Sequence, residues 1–301
     1  MSQGLTVLLF GAGQESTYFL HKCGTDPTYY KKHITGKLLV IGSDTGDEHN
    51  HTYANIEWCK RFCIANRIEF YWVTKDMGFH GRTWQSLFEQ YKRTFTIGSA
   101  AMPQTCTDNL KVKVCDRFLE HWIKKNYGYT KQNKKSVIDF YNDMGQKKIK
   151  YILGFAKGEE TRTNKGNKFD GKWKQITCER YYPLIVDGIG RQECIDYNSI
   201  NIPHVVWPSN CMRCFYQSEQ ELLWLYRFFP EKFQEWVEVE QAKLKKWIHL
   251  EQQEPPKNYG VYGLKSLQDK LDKAIRLYGH WSDEQLNEYK MSHGHCIKSK
   301  Y

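Results

Sequence analysis

Three groups of residues carry side chains able to do chemistry. The first is Gly11-Ala12-Gly13-Gln14-Glu15-Ser16-Thr17, directly after the apolar run Val7-Leu8-Leu9-Phe10. Gly11 and Gly13 allow a tight turn and a close approach of backbone to a ligand. Ser16 and Thr17 place hydroxyl donors where the N–H groups and dipole of an incoming helix already favour an anion. That order of residues makes a phosphate cradle, although it lacks the lysine of a Walker loop and the glycine spacing of a dinucleotide fingerprint. Taken alone, an apolar strand and a small-residue turn open many α/β domains. The second group, Asp44-Thr45-Gly46-Asp47-Glu48-His49, is a polar turn after the apolar stretch 37–41. Asp44 and Thr45 there suit a ribose, an adenine or a magnesium ion, or a helix cap. The third group is cysteines. Cys211 and Cys214 offer two soft ligands on one turn, a spacing used for zinc and for iron–sulfur clusters. Cys106 precedes a helix that Thr107 or Asp108 can cap, where the positive helix end favours a thiolate.

These residues need a scaffold, and the hydrophobic pattern supplies one. Apolar runs at 7–10, 37–41, 68–73 and 150–155 read as strands, and segments 16–23, 52–66 and 83–95 read as helices, as does the one running through Trp122. Strand–helix alternation predicts a parallel, doubly wound sheet. The polar, basic stretch 163–174 predicts a mobile loop at the mouth of the site, and Gly190 begins a helix that Ile202-Pro203 ends. From Ser218 onward the pattern is helical with breaks at Pro230 and Glu254-Pro255-Pro256, so we expect a domain over 1–216 and a helical region over 217–301. No apolar run approaches the length of a membrane span. Ten cysteines without the framework of a small secreted domain predict a reducing, cytoplasmic setting and metal or redox use. A net charge of +10 favours a polyanionic partner. Lys124, Lys125, Lys131, Lys134 and Lys135 around Tyr127 and Tyr129 suit single-stranded nucleic acid, or make a solvated surface loop.

Five stretches in order resemble the phosphoadenosine-phosphosulfate (PAPS) reductase-like branch of the PP-loop ATP pyrophosphatases. They are Gly11 to Thr17; Asp44-Thr45-Gly46 with His49 and Thr52; Cys106-Thr107 with Leu110-Lys111; Leu153-Gly154 with Glu159 and Arg162; and Tyr182-Pro183-Leu184, Gly190-Arg191 and Cys211 to Cys214. The resemblance implies a Rossmann-like adenine nucleotide alpha-hydrolase fold with a helical C-terminal part. It further implies ATP, or PAPS or its monophosphate analogue APS, bound over the carboxyl ends of the strands with Mg2+. Gly11, Gly13, Gln14, Ser16, Thr17, Asp44, Thr45 and Arg191 would hold the nucleotide, and Cys106, Glu159 and Arg162 would be catalytic. Cys106 would join Cys211 and Cys214 as metal ligands, with Cys115, Cys194 or a small molecule as the fourth, around a 4Fe–4S cluster or a zinc ion.

The common PP-loop reads Ser-Gly-Gly-Lys-Asp-Ser. Here Gln14 replaces the lysine, Glu15 the aspartate, and Ala156 stands where the family often has arginine. Stabilising a leaving pyrophosphate would then fall to Lys157, Arg162, Arg191 or magnesium. The implied function is adenylation-linked sulfur transfer, with tRNA or DNA as acceptor and a sulfur-donor protein as partner. Sulfonucleotide reduction is the alternative in the same fold, although His295-Cys296 only faintly echoes the reductase motif. A non-catalytic nucleotide-binding component of a defence or modification system is another.

Overall fold

The computed structural model describes residues 4–101, 105–166 and 170–293; Gln104 and the His295-Cys296 motif lie outside them. Five strands form its centre: β1 (Leu5–Leu9), β2 (Lys37–Ser43), β3 (Glu69–Val73), β4 (Ile149–Leu153) and β5 (Cys178–Tyr181). All neighbours pair in parallel, in the order β3-β2-β1-β4-β5. A parallel sheet is covered on both faces, so its central strands β1, β2 and β4 are mostly apolar along their length. Alternation then sorts the side chains: Leu8, Val40 and Ile152 pack to one face, Val7, Leu39, Ile41 and Tyr151 to the other.

The first face is covered by α1 (Gln14–Thr25), α2 (Pro27–His33) and α3 (Asn50–Ala65), through Phe19, Leu20, Tyr29, Ile56 and Cys59. After α4 (Leu87–Thr94), a π-type turn over Thr107–Val112 runs into α5 (Lys113–Tyr127), followed by α6 (Lys135–Asp143). Val114, Phe118 and Trp122 of α5, with Val137 and Phe140 of α6, cover the second face. The chain continues through α7 (Glu160–Gly166), α8 (Lys172–Thr177), α9 (Pro183–Asp187) and α10 (Arg191–Asn201). The expectation of a loop over 163–174 is corrected at both ends, where α7 covers 163–166 and α8 begins at Lys172 with Trp173 anchored on the second-face core and Lys174 buried, while 167–169 lie outside the described residues.

The lysine–tyrosine stretch is also engaged internally. Lys124 donates to Gln132 at 2.8 Å, Lys131 pairs with Asp139 at 3.0 Å, and Lys134 pairs with Glu120 at 3.1 Å. Tyr127 packs on Phe140 and Tyr129 donates to Asp143 at 2.6 Å. These contacts tie α5 to α6.

Helices α11 (Glu219–Phe228), α12 (Pro230–Lys246), α13 (Leu267–Tyr278) and α14 (Asp283–His293) build a third core around Leu222, Leu225, Trp236 and Leu271. Met212 and Phe215 belong to it, and Ile97 and Cys106 pack against it, so it seats on the α/β part near the cysteines. The buried Lys290 of α14 donates to Asn210 at 2.9 Å and lies 3.4 Å from Glu221.

Candidate nucleotide site

The strand order locates the site. The chain runs from central β1 outward through β2 and β3, then crosses to β4 on the other side, so a crevice opens beyond the carboxyl ends of β1 and β4. A cavity of about 220 Å³ lies there. Phe10, Gly11, Gly13, Glu15 and Ser16 line it after β1, Leu153, Gly154 and Phe155 after β4, and Ile41 and Ser43 from β2. Gly13 caps α1, whose first N–H groups are those left without intrahelical partners. Two close approaches shape this end. A Cβ at Gly154 would sit 3.1 Å from the Ser16 nitrogen, and one at Gly13 would sit 3.0 Å from Ser209 Oγ and 3.1 Å from its nitrogen. The strand end and the 207–210 loop therefore press on the cradle from two sides.

Charge concentrates at the same end. Arg191 lies 2.8 Å from Glu15 and 3.6 Å from Glu159, and Arg162 donates to Glu159 at 2.6 Å. Glu159 also accepts from the Ala156 N–H at 3.1 Å, and the Arg162 guanidinium stacks 4.0 Å over the Phe155 ring. Burial raises the Glu15 carboxyl above its ordinary range, against the opposing pull of Arg191. Lys111 lines the cavity and pairs with Glu48 at 3.3 Å.

Gly11, Gly13, Ser16, Glu159, Arg162 and Arg191 thus share the cavity. Four expected nucleotide ligands are turned elsewhere by their own hydrogen bonds. The buried Gln14 donates to the Met291 carbonyl of α14 at 3.2 Å, so this position reaches the helical part rather than the cradle. Thr17 accepts from Asn55 at 2.9 Å. Asp44 accepts from the Gly46 N–H and the Tyr53 hydroxyl, each at 2.8 Å, closing its own turn. Thr45 donates to Glu48 at 3.1 Å.

That turn instead positions the cysteines. The Met212 N–H donates to the Asp47 carbonyl at 2.6 Å, the Arg213 N–H to the Asp47 carboxylate at 2.9 Å, and Cys211 bridges to Glu48 through the backbone. The Arg213 guanidinium pairs with both Asp47 and Glu235. Cys211 Sγ donates to Thr45 Oγ1 at 3.4 Å, and burial pushes its thiol well above the usual value. Burial raises the Tyr91 phenol, with smaller contributions from Cys106, Cys214 and Cys211, and Cys106 and Cys211 pack against the small core to which Tyr91 belongs. Cys115 packs on the second face of the sheet and Cys194 on the first, apart from the core that Cys106 and Cys211 pack against. Among the described residues, no group of three or more histidine, cysteine or acidic side chains is set to hold a metal ion. The arrangement therefore does not fit a cluster or zinc site as it stands.

No protein-family model and no curated protein matches the chain. Among solved structures it is similar to the U34-tRNA thiolase NcsA from Methanococcus maripaludis with its 4Fe–4S cluster. The TM-score is 0.40 and the identity 14%, covering 94% of this chain and 75% of that one. No described helix is long and apolar enough to cross a membrane.

Several residues of the site escape sequence reasoning. Ser209 follows Trp207-Pro208 and gives no motif of its own, yet it packs on the cradle. Tyr91 is one aromatic in an apolar helical face. Asp116 and Lys174 meet in the cavity wall from positions 58 residues apart. Only the fold brings such pairs together.

Proposed function

We propose that this chain binds the phosphates of an adenine nucleotide between Gly11 and Ser16, transfers the adenylyl group to an acceptor with loss of pyrophosphate, and handles sulfur through Cys106, Cys211 and Cys214. The observation that carries the reading is a small-residue turn, a helix start and two arginines meeting in one cavity at the switch point of a parallel sheet. The N–H groups of α1 and the Ser16 hydroxyl suit phosphate oxygens. Arg162 and Arg191 would meet charge developing on a leaving pyrophosphate, a role the neutral Gln14 cannot take. Glu15 and Glu159 are the carboxylates that would hold a magnesium ion accompanying the phosphates, which would screen their charge. The net charge of +10 supports a nucleic acid as acceptor, whereas the internally tied lysine–tyrosine stretch adds no support.

A second reading, binding without cleavage, is favoured by one feature: both arginines are already neutralised by Glu15 and Glu159. Equilibrium binding of ATP, competition by tripolyphosphate and release of pyrophosphate separate the two. We expect ATP to bind, tripolyphosphate to displace it, and Arg191→Met to weaken both. Pyrophosphate release on addition of an acceptor, with sulfur transfer lost in Cys211→Ser, supports the enzyme. Binding without release over all acceptors supports the second reading, and absence of ATP binding overturns both.

A further inference from the structure

Away from the phosphate cradle, the cavity wall contains a buried ion pair to which nothing above gives a role. Lys174 of α8 donates to Asp116 of α5, at 2.9 Å to Oδ1 and 3.2 Å to Oδ2. The ammonium lies 4.8 Å from the ring centre of Tyr151 in β4, whose hydroxyl donates to Asp116 Oδ1 at 3.4 Å. Lys174 is only 6% exposed, and the cavity around the pair is walled by apolar Leu9, Ile41 and Val112.

A buried pair of this kind adds little stability, because removing both charges from water offsets their attraction. Its hydrogen-bonding capacity is also incompletely used. An ammonium carries three donors and a carboxylate about four acceptor sites. The contacts with Asp116 and Tyr151 take two of the donors and three of the acceptor sites. One donor and one acceptor site are left over, and both residues line the cavity.

We propose that Asp116 and Lys174 read the base of the bound nucleotide, taking a ring edge that sets a donor beside an acceptor. Adenine presents N6–H to the carboxylate and N1 to the ammonium; guanine presents N1–H and O6 in the same sense. The proposal rests on the nucleotide reading above, with the phosphates at Gly13 and Ser16 and the base at the opposite end of the cavity.

The test is equilibrium binding of ATP, GTP, purine riboside triphosphate and tripolyphosphate to the full chain. The same ligands are titrated against the double variant Asp116→Leu/Lys174→Met, whose apolar replacements suit a dry pocket. The wild type should bind ATP roughly 10-fold or more tighter than purine riboside triphosphate, which lacks the 6-amino group. The double variant should lose that preference while keeping its affinity for tripolyphosphate, a coupling that a merely structural pair would not show. Should the double variant fail to fold by circular dichroism, Asp116→Asn carries the same comparison. A wild type that prefers GTP supports the pair as the reader and assigns guanine. Unchanged ATP affinity and base preference in the folded variants overturns the proposal alone. Failure of both ATP and tripolyphosphate to bind the wild type overturns the nucleotide reading and this proposal with it.

Discussion

Glu15 stands at a helix start that otherwise favours anions, and its carboxylate occupies Arg191. A phosphate entering the cavity meets one negative charge too many, and one cation already engaged. Glu15→Gln keeps the shape and removes the charge. We expect tripolyphosphate to bind on the order of 10-fold more tightly to this variant, ~1.4 kcal/mol, by isothermal titration at neutral pH. Because burial raises the Glu15 carboxyl, acid should mimic the substitution. Wild-type affinity should approach that of the variant as the pH falls, and a constant gap between the two would rule out Glu15 as the cause. At this scale the need for a small residue at Gly13 was readable, because its neighbours demand that size. Gln14 and Thr17 were not, since a side chain's direction depends on partners such as Met291 and Asn55 that lie far off in the chain.

Between elements, the decisive joint is the meeting of the 44–49 turn, the 211–214 loop and α14. Asp47 holds the loop through Arg213, and Lys290 reaches Asn210 just before it. Lys290 is 1% exposed, and its ammonium is held by Asn210, Glu221 and the Trp224 ring 5.3 Å away. Lys290→Met leaves the Glu221 carboxylate without its cation. We expect a loss of about 3 kcal/mol in urea unfolding, partly recovered by adding Glu221→Gln. No recovery would mean that the methionine itself packs badly. The strands and long helices were legible because burial on one or both faces writes a periodic pattern, as in β1 and α5. The four-residue β5 carries Glu179 and Arg180 and writes none. Helix α2 left an unread signal in Asp26-Pro27, where the Asp26 side chain accepts from the Thr28 and Tyr29 N–H groups.

Across the whole molecule, acid stability should be set largely by two histidines beside this joint. His49 is fully buried, and its ring stacks 5.0 Å from that of His51, which in turn stacks on Trp207. Burial, with Lys290 nearby, lowers both, His51 from 6.5 to about 3 and His49 well below its ordinary value. An unfolded chain takes up these protons near pH 6.5 and the folded chain does not, so the unfolded state gains as the pH drops through this window. The urea midpoint should therefore fall between pH 6.5 and 3, and His51→Phe should flatten that slope. An identical slope in the variant would assign the acid sensitivity to other groups.

The bond from Gln14 to Met291 spans 277 residues. On a ribosome adding 5–20 residues per second, roughly 14 to 55 s separate the emergence of its two ends. A nascent chain can form β1 and the turn after it early, but the amide at position 14 has no carbonyl to hold it until α14 arrives. The turn after β1 is therefore among the first parts of this protein to be made and among the last to be finished.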